Sequence, residues 1–237
     1  PEVRTRKSPA RRAAWYKAYI TTILQKDVRD ISNIADLTTL PKLLAQLALR
    51  SGNLLNMADV ARDLDVPHST LRRYMALLET TFLLTPLRPW ANKRAKRLVK
   101  APKVHLADSG FATWLCGVNS PNDLLKSPVW GHLLETFVTG ELRKMATWSK
   151  AAVEPFHFRM DTGREVDLVL EDAQGRIIGI EVKASASVDH RDLAGLMELR
   201  AAAGPKWLRG LVLHAGPGIT PFSRDLHAVP ISAVWDW

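Results

Sequence analysis

Residues 163–185 read GREVDLVLEDAQGRIIGIEVKAS. Two apolar runs flank the turn former EDAQGR, so the stretch predicts a β-hairpin. Each run carries charge that a core strand does not need: Asp167 in the first, Glu181 and Lys183 in the second. Strand side chains alternate between faces, which puts Glu181 and Lys183 on one side and Ile178, Ile180 and Val182 on the other. The hairpin folds Asp167 back beside the charged side. Two carboxylates brought together repel each other unless a cation neutralises them. A magnesium ion held there could polarise a phosphodiester and activate a water, with Lys183 stabilising charge. The same three groups could equally form a salt-bridge cluster with no catalytic role.

The pattern around the hairpin is that of a mixed domain. Helix WGHLLETFVTGELRKMATW precedes strands in PFHFRM, REVDLVLED and RIIGIEVKAS; helix HRDLAGLMELRAAAG and strand RGLVLHAG follow. The order α-β-β-β-α-β implies a mixed sheet covered by helices. Glu135 on the first helix is a candidate third carboxylate, and Glu165, on the face of Asp167, a reserve ligand. Glu171 and Asp172 read as solvated charges. His105, His157, His190 and His214 lack metal-ligand spacing and read as structural or exposed, with His190 the one placed to approach the site. Cys116 reads as a small buried hydrophobe, and Trp15, Trp114, Trp130 and Trp148 as helix core positions.

Upstream the pattern is helical. Trp15, Tyr19, Ile23, Leu24 and Val28 recur at helical spacing, and a second helix in TTLPKLLAQLALRSG stops at Gly52. The stretch NMADVARDLDVPHSTLRRYMALLETTFLL then predicts two helices around a turn at Leu64–Pro67. Val60, Ala61 and Leu64 line one apolar face, and Leu71, Tyr74, Met75 and Leu78 the other. This is a helix-turn-helix spacing, with Ser69, Thr70, Arg72 and Arg73 outward. Two short strands, in FLLTPLRPW and KAPKVHLAD, flank ANKRAKRLVK, whose Lys93, Arg94, Lys96, Arg97 and Lys100 suit the wing of a winged helix. Such a module could contact DNA through phosphates and a major groove, or serve as a structural or protein-binding wing. Residues 117–128, GVNSPNDLLKSP, carry the turn formers and mark a linker between domains at 1–116 and 129–237.

The totals fit this division. The chain has 237 residues and a net charge of +9; residues 1–103 hold 20 Lys and Arg against 8 Asp and Glu, whereas residues 104–237 hold 13 against 16. A basic half suits a polyanion and an acidic half a metal. No apolar run approaches the roughly 18 residues of a membrane span. The basic start lacks an apolar signal-peptide region, and the single cysteine fits a reducing cytoplasm.

Asp167, thirteen residues, then Glu181-Val182-Lys183 resembles the PD-(D/E)-x-K nuclease superfamily, with Val166 where its name has proline. The resemblance implies a restriction-endonuclease-like fold, Asp167 and Glu181 as magnesium ligands, Lys183 as catalytic lysine and Glu135 as auxiliary acid. A wider resemblance rests on YITTILQKDVRDI, NKRAKRLVKAPKVHLADSG, GHLLETFVTGEL, REVDLVLE and IEVKAS. In that order they are similar to the C-terminal region of a family of bacterial and archaeal AAA-type ATPases. That resemblance implies an upstream ATPase module as partner, joined through PEVRTR. The phosphate-cradling pattern G-x-x-x-x-G-K-[ST] is absent, so no ATP site is expected within these residues. The combined expectation is an α+β chain that binds nucleic acid, DNA foremost, and either hydrolyses phosphodiesters with magnesium or recognises its target without chemistry. The sequence leaves the oligomeric state open, a homo-oligomer included.

Overall fold

The computed structural model describes residues 2–24, 38–93, 97 and 101–235. The fold is mixed α+β and divides into two compact units: Pro1–Pro86 with Val104–Leu133, and Leu87–Lys103 with Leu134–Trp237. The segment from Leu87 to Lys103, which sequence pattern groups with the N-terminal half, thus belongs to the second unit.

The first unit holds α1 (Pro9–Thr22), α2 (Thr39–Leu49), β1 (Asn53–Leu54), α3 (Met57–Asp63) and α4 (His68–Thr80). The short strands β2 (Leu84–Leu87) and β3 (Lys103–Leu106) join β1 in a three-stranded sheet of order β1-β3-β2. Helices α5 (Ser109–Leu115) and α6 (Pro121–Lys126) follow; α6 occupies much of the stretch expected as linker. Val28, expected on the first helix, lies outside the described residues.

Local chemistry explains these boundaries. Ser8 caps α1 by accepting from the Arg11 amide, ahead of Pro9 at a first-turn position where a missing N–H costs nothing. Asn56 caps α3 through the amides of Ala58 and Asp59. The turn between α3 and α4 is made by Asp65 in the left-handed region, φ 51°, a conformation that short polar side chains tolerate. Leu40, Leu43, Leu44 and Leu47 of α2 are fully buried, each contributing about 2 kcal/mol of transfer free energy. They pack in one cluster with Val60, Leu71 and Leu78. Tyr16, Phe111 and Trp114 stack beside them.

The second unit is built on a six-stranded sheet. Helix α7 (Trp130–Trp148) leads into β4 (Val153–Arg159), β5 (Glu165–Asp172) and β6 (Ile177–Lys183); α8 (Ala194–Ala203) then leads to β7 (Trp207–His214), β8 (Thr220–Ser223) and β9 (Leu226–Pro230). The order β4-β5-β6-β7-β9-β8 is antiparallel through β6 and parallel from β6 to β7 to β9. The β8–β9 pair extends the sheet beyond the α-β-β-β-α-β pattern. Alternation works as expected: Ile178, Ile180 and Val182 join Val138 of α7 in one cluster, while Val169 and Ile177 pack with Leu196 and Leu199 of α8 in another. The β5–β6 turn is closed by Asp172, which accepts from the amides of Gln174 and Arg176, with Gly175 at φ 77°. Helix α8 presses so closely on β5 that a methyl group on Gly195 would be driven into the carbonyl oxygen of Glu165.

Candidate functional site

The β5–β6 pairing runs from Glu171–Ile177 to Leu168–Ile180 and stops there. One residue further, the Asp167 side chain turns across the gap, and its Oδ2 accepts the Val182 amide at 2.9 Å. Its Oδ1 accepts from Lys103 Nζ at 2.9 Å. Lys103 opens β3 and its side chain is almost wholly buried; it donates equally to Glu135 Oε1, at 2.9 Å, and lies 4.0 Å from Glu165 Oε2. Lys183 donates to Glu181 Oε1 at 3.0 Å and stands 3.7 Å from Asp192. Arg159 pairs with Glu165 at 2.7 Å. The four residues expected from sequence, Glu135, Asp167, Glu181 and Lys183, are thus brought into one cluster, with Glu165 at its rim. The residue that sequence reasoning missed is Lys103. Its one signal is position: it begins a strand, KVHL, whose residues are all buried.

Five carboxylates (Glu135, Glu165, Asp167, Glu181, Asp192) face three cations (Lys103, Lys183, Arg159). With every group ionised the cluster would carry two uncompensated negative charges, and the titrations reflect this. Burial, then the Asp167 charge, raises Glu181 to about 8 against the opposing pull of Lys183. Glu135 is raised well above an ordinary glutamate by burial and then by Asp167. Burial alone would lower Lys103, yet the carboxylates of Asp167 and Glu135 outweigh it and raise the ammonium, so Lys103 stays charged. The two partners pull opposite ways. The 2.9 Å contacts and the fixed ammonium favour a charged Lys103 beside a Glu135 that holds its proton unusually tightly.

These residues do not fit a divalent cation as they stand. The Lys103 ammonium occupies the place between Glu135 and Asp167, and the second Asp167 oxygen is committed to a backbone amide. Among the described residues no group of three His, Cys, Asp or Glu side chains is disposed to hold a metal. One ligand atom is left over: Oε2 of Glu181 is buried without a hydrogen-bond partner.

The basic residues divide differently from expectation. Arg72 and Arg73 are exposed on α4 and form no ion pair among the described residues, and Lys93 is exposed. Arg94, Lys96 and Lys100 lie outside the described residues. Arg97 departs from a phosphate-facing position. It is buried, grips both oxygens of Glu171, donates to the Ala91 carbonyl at 2.7 Å, and lies over the rings of Trp90 and Phe156. Glu171, expected to be solvated, is buried for the same reason. A cleft of about 700 Å³ opens beside this pair, lined by Arg88, Glu154, Phe156 and Asp172 among others; Glu135, Asp167 and Glu181 do not line it.

His190 stays at the surface, edge-on to Phe222, and His214 ties the loop after β7 through the Gly218 carbonyl and the Gly216 amide. Cys116 is half-buried, and burial raises its thiol. Trp148, expected in the core, is exposed at the end of α7. His157 is buried, with Nε2 3.3 Å from the Ala101 carbonyl and Nδ1 unpartnered. Burial, then the Lys103 charge, pushes it down to about 4. Its unfolded-state value is near 6.5, so between pH 6.5 and 4 the unfolded chain binds a proton that the folded chain refuses. Stability is expected to fall by roughly 3 kcal/mol across that interval on acidification, and His157→Gln to lose this component. Urea midpoints of the two proteins at pH 7 and pH 4.5 measure it, and equal acid losses in both would refute it.

The fold and the cluster define a two-unit mixed α+β protein with a lysine-bridged carboxylate core. Residues 1–122, just over half of the chain, match the model of a domain of unknown function, DUF8612, and the chain belongs to that family. Residues 130–234 match a second domain of unknown function, DUF4143, found in AAA-ATPase-associated proteins. Among curated relatives, Uncharacterized protein Rv2008c of Mycobacterium tuberculosis and Uncharacterized protein Mb2031c of Mycobacterium bovis are each 29% identical over 225 residues. The match covers 94% of this chain and 48% of each relative, so the chain spans about half the length of the curated relatives it matches. No solved structure matches significantly. Among the described residues no helix is long and apolar enough to cross a membrane.

Proposed function

We propose that the chain is the nucleic-acid-recognition region of an AAA-type ATPase-associated protein. Its first unit acts as a winged helix and its second as a catalytically silent PD-(D/E)-x-K nuclease fold. The observation that carries this reading is the bridging of Glu135 and Asp167 by Lys103, which leaves the acids of the nuclease pattern already neutralised. The element order α7-β4-β5-β6-α8-β7, antiparallel then parallel, supports the nuclease-like fold. The α3–turn–α4 pair followed by β2 and β3 supports the winged helix, with Arg72 and Arg73 facing solvent. DNA is the proposed target, and an upstream ATPase module the partner. A magnesium-dependent nuclease is the second reading, favoured by the buried, unpartnered oxygen of Glu181.

The chain is expected to leave supercoiled plasmid intact in magnesium and in manganese. Its affinity for duplex DNA should fall as salt rises. Arg72→Ala with Arg73→Ala should weaken binding about tenfold and flatten the log–log salt slope by about one for each phosphate no longer neutralised. Cleavage that disappears in both Asp167→Ala and Lys183→Ala would replace this reading with the second. Affinity indifferent to salt would end the nucleic-acid proposal.

A further inference from the structure

We infer that the cleft between α1, α5 and the start of α6 is a binding site for a small monocarboxylic acid with an apolar, ring-bearing body, its carboxylate held by Arg12 and Tyr16. The cleft lies wholly within the first unit and is independent of the nuclease-like reading of the second.

The cleft encloses about 450 Å³, within the range of small-ligand sites. Pro9, Arg12, Ala13 and Tyr16 recur at helical spacing and line it from one face of α1. Trp114, Val118 and Leu124 complete an apolar wall. The Trp114 and Tyr16 rings stack with centroids 5.5 Å apart, a flat surface against which a ring can pack.

Two donors stand unused at this wall. Tyr16 is 8% exposed, yet its hydroxyl makes no hydrogen bond among the described residues. Its oxygen lies 2.8 Å from the point where a side chain on Gly110 would begin, so the bare glycine gives the hydroxyl its place in the cleft. Burial, then the Asp108 charge, holds Tyr16 above the ordinary phenol range, and it remains an O–H donor at neutral pH. Arg12 Nη1 donates to the carbonyls of Arg6 and Lys7, at 3.1 and 3.2 Å, which fixes the guanidinium. Arg12 forms no ion pair among the described residues, so Nη2 and Nε remain for a ligand. The other polar side chains of the cleft are committed: Thr113 donates to the Ser109 carbonyl, Asn119 to the Gly117 carbonyl and Ser120 to Asp123.

A ligand for this cleft must therefore bring acceptors, and a carboxylate meets a guanidinium and a hydroxyl at once. Charge sets a limit on the head group. Asp108 acts on Tyr16 and Asp123 is bonded to Ser120, so the double charge of a phosphate is opposed more than the single charge of a carboxylate.

The test is a nuclear magnetic resonance titration of the full chain at neutral pH, following the tryptophan indole N–H resonances. Phenylacetate is the probe, beside the neutral phenylacetamide and the dianionic phenyl phosphate. Phenylacetate is expected to bind with a Kd of about 0.1–1 mM, and the other two each about tenfold more weakly. Arg12→Gln should weaken the acid about tenfold and leave the amide unchanged, a split that a merely structural Arg12 would not produce. Tyr16→Phe keeps the ring stack and should weaken the acid about fivefold. Val118→Trp should fill the cleft and abolish binding of all three probes. The inference is overturned if about 10 mM phenylacetate leaves the wild type unmoved. It is equally overturned if acid and amide bind alike, if phenyl phosphate binds more tightly than the acid, if Arg12→Gln weakens acid and amide alike, or if Val118→Trp leaves binding intact. Should Arg12→Gln fail to fold, the acid–amide comparison in wild type and the Val118→Trp variant decide the question without it.

Discussion

Lys103→Met is expected to cost about 3–5 kcal/mol of stability at neutral pH, the range for breaking a buried ion pair on one side. Methionine keeps the length and apolar volume of the lysine stem, so little of this loss comes from a cavity. It comes from Glu135 and Asp167, which lose their shared ammonium while remaining buried. Asp167→Asn should cost less, because Lys103 retains Glu135, while the single asparagine oxygen can accept from only one of Lys103 and the Val182 amide. The double variant should be more stable than the sum of the single losses predicts, with a coupling of about 1–3 kcal/mol. Urea unfolding of all four proteins at constant m gives these values. A loss under about 1 kcal/mol for Lys103→Met would mean that the ammonium does not bridge the two acids.

Much of this site can be read from local pattern because a strand has period two. The spacing of Glu181, Lys183 and the isoleucines before them puts the charges on one face and Ile178 and Ile180 on the other, and the cluster around those isoleucines follows that division. EDAQGR is legible as a turn because Asp172 makes its bonds to amides two and four residues away. Lys103 is not legible, since its partner Asp167 is 64 residues distant, and Arg97 lies 74 residues from Glu171. Within ANKRAKRLVKAPK a buried cation and a solvated one look alike, and net charge counts both as surface. Burial of a lysine or arginine depends on which carboxylate the tertiary fold brings up, and that information is not local. The short β8 and β9 strands escape for a related reason: each contains a proline, and they are strands chiefly because β7 offers β9 a neighbour.

Arg97→Ala is expected to cost about 3–5 kcal/mol without acting on nucleic acid directly. The guanidinium holds both oxygens of Glu171, donates to the Ala91 carbonyl at 2.7 Å, and rests 5.5 Å from the Trp90 ring centroid and 4.8 Å from that of Phe156. Alanine removes all of these at once and leaves Glu171 buried without its partner. Arg97→Lys should recover less than half of the loss, because an ammonium cannot reproduce the planar two-point grip or lie flat on two aromatic rings. This pair tests more than stability. Sequence pattern groups Arg97 with the basic residues of a wing, where removing one phosphate-neutralising side chain should flatten the salt dependence of DNA binding by about one on a log–log scale. A buried arginine neutralises no phosphate. The slope for folded Arg97→Lys, measured below its unfolding transition, is therefore expected to equal that of wild type, while Arg72→Ala changes it. A flattened slope in Arg97→Lys would instead put the guanidinium at the DNA surface and dismantle the Arg97–Glu171 pairing.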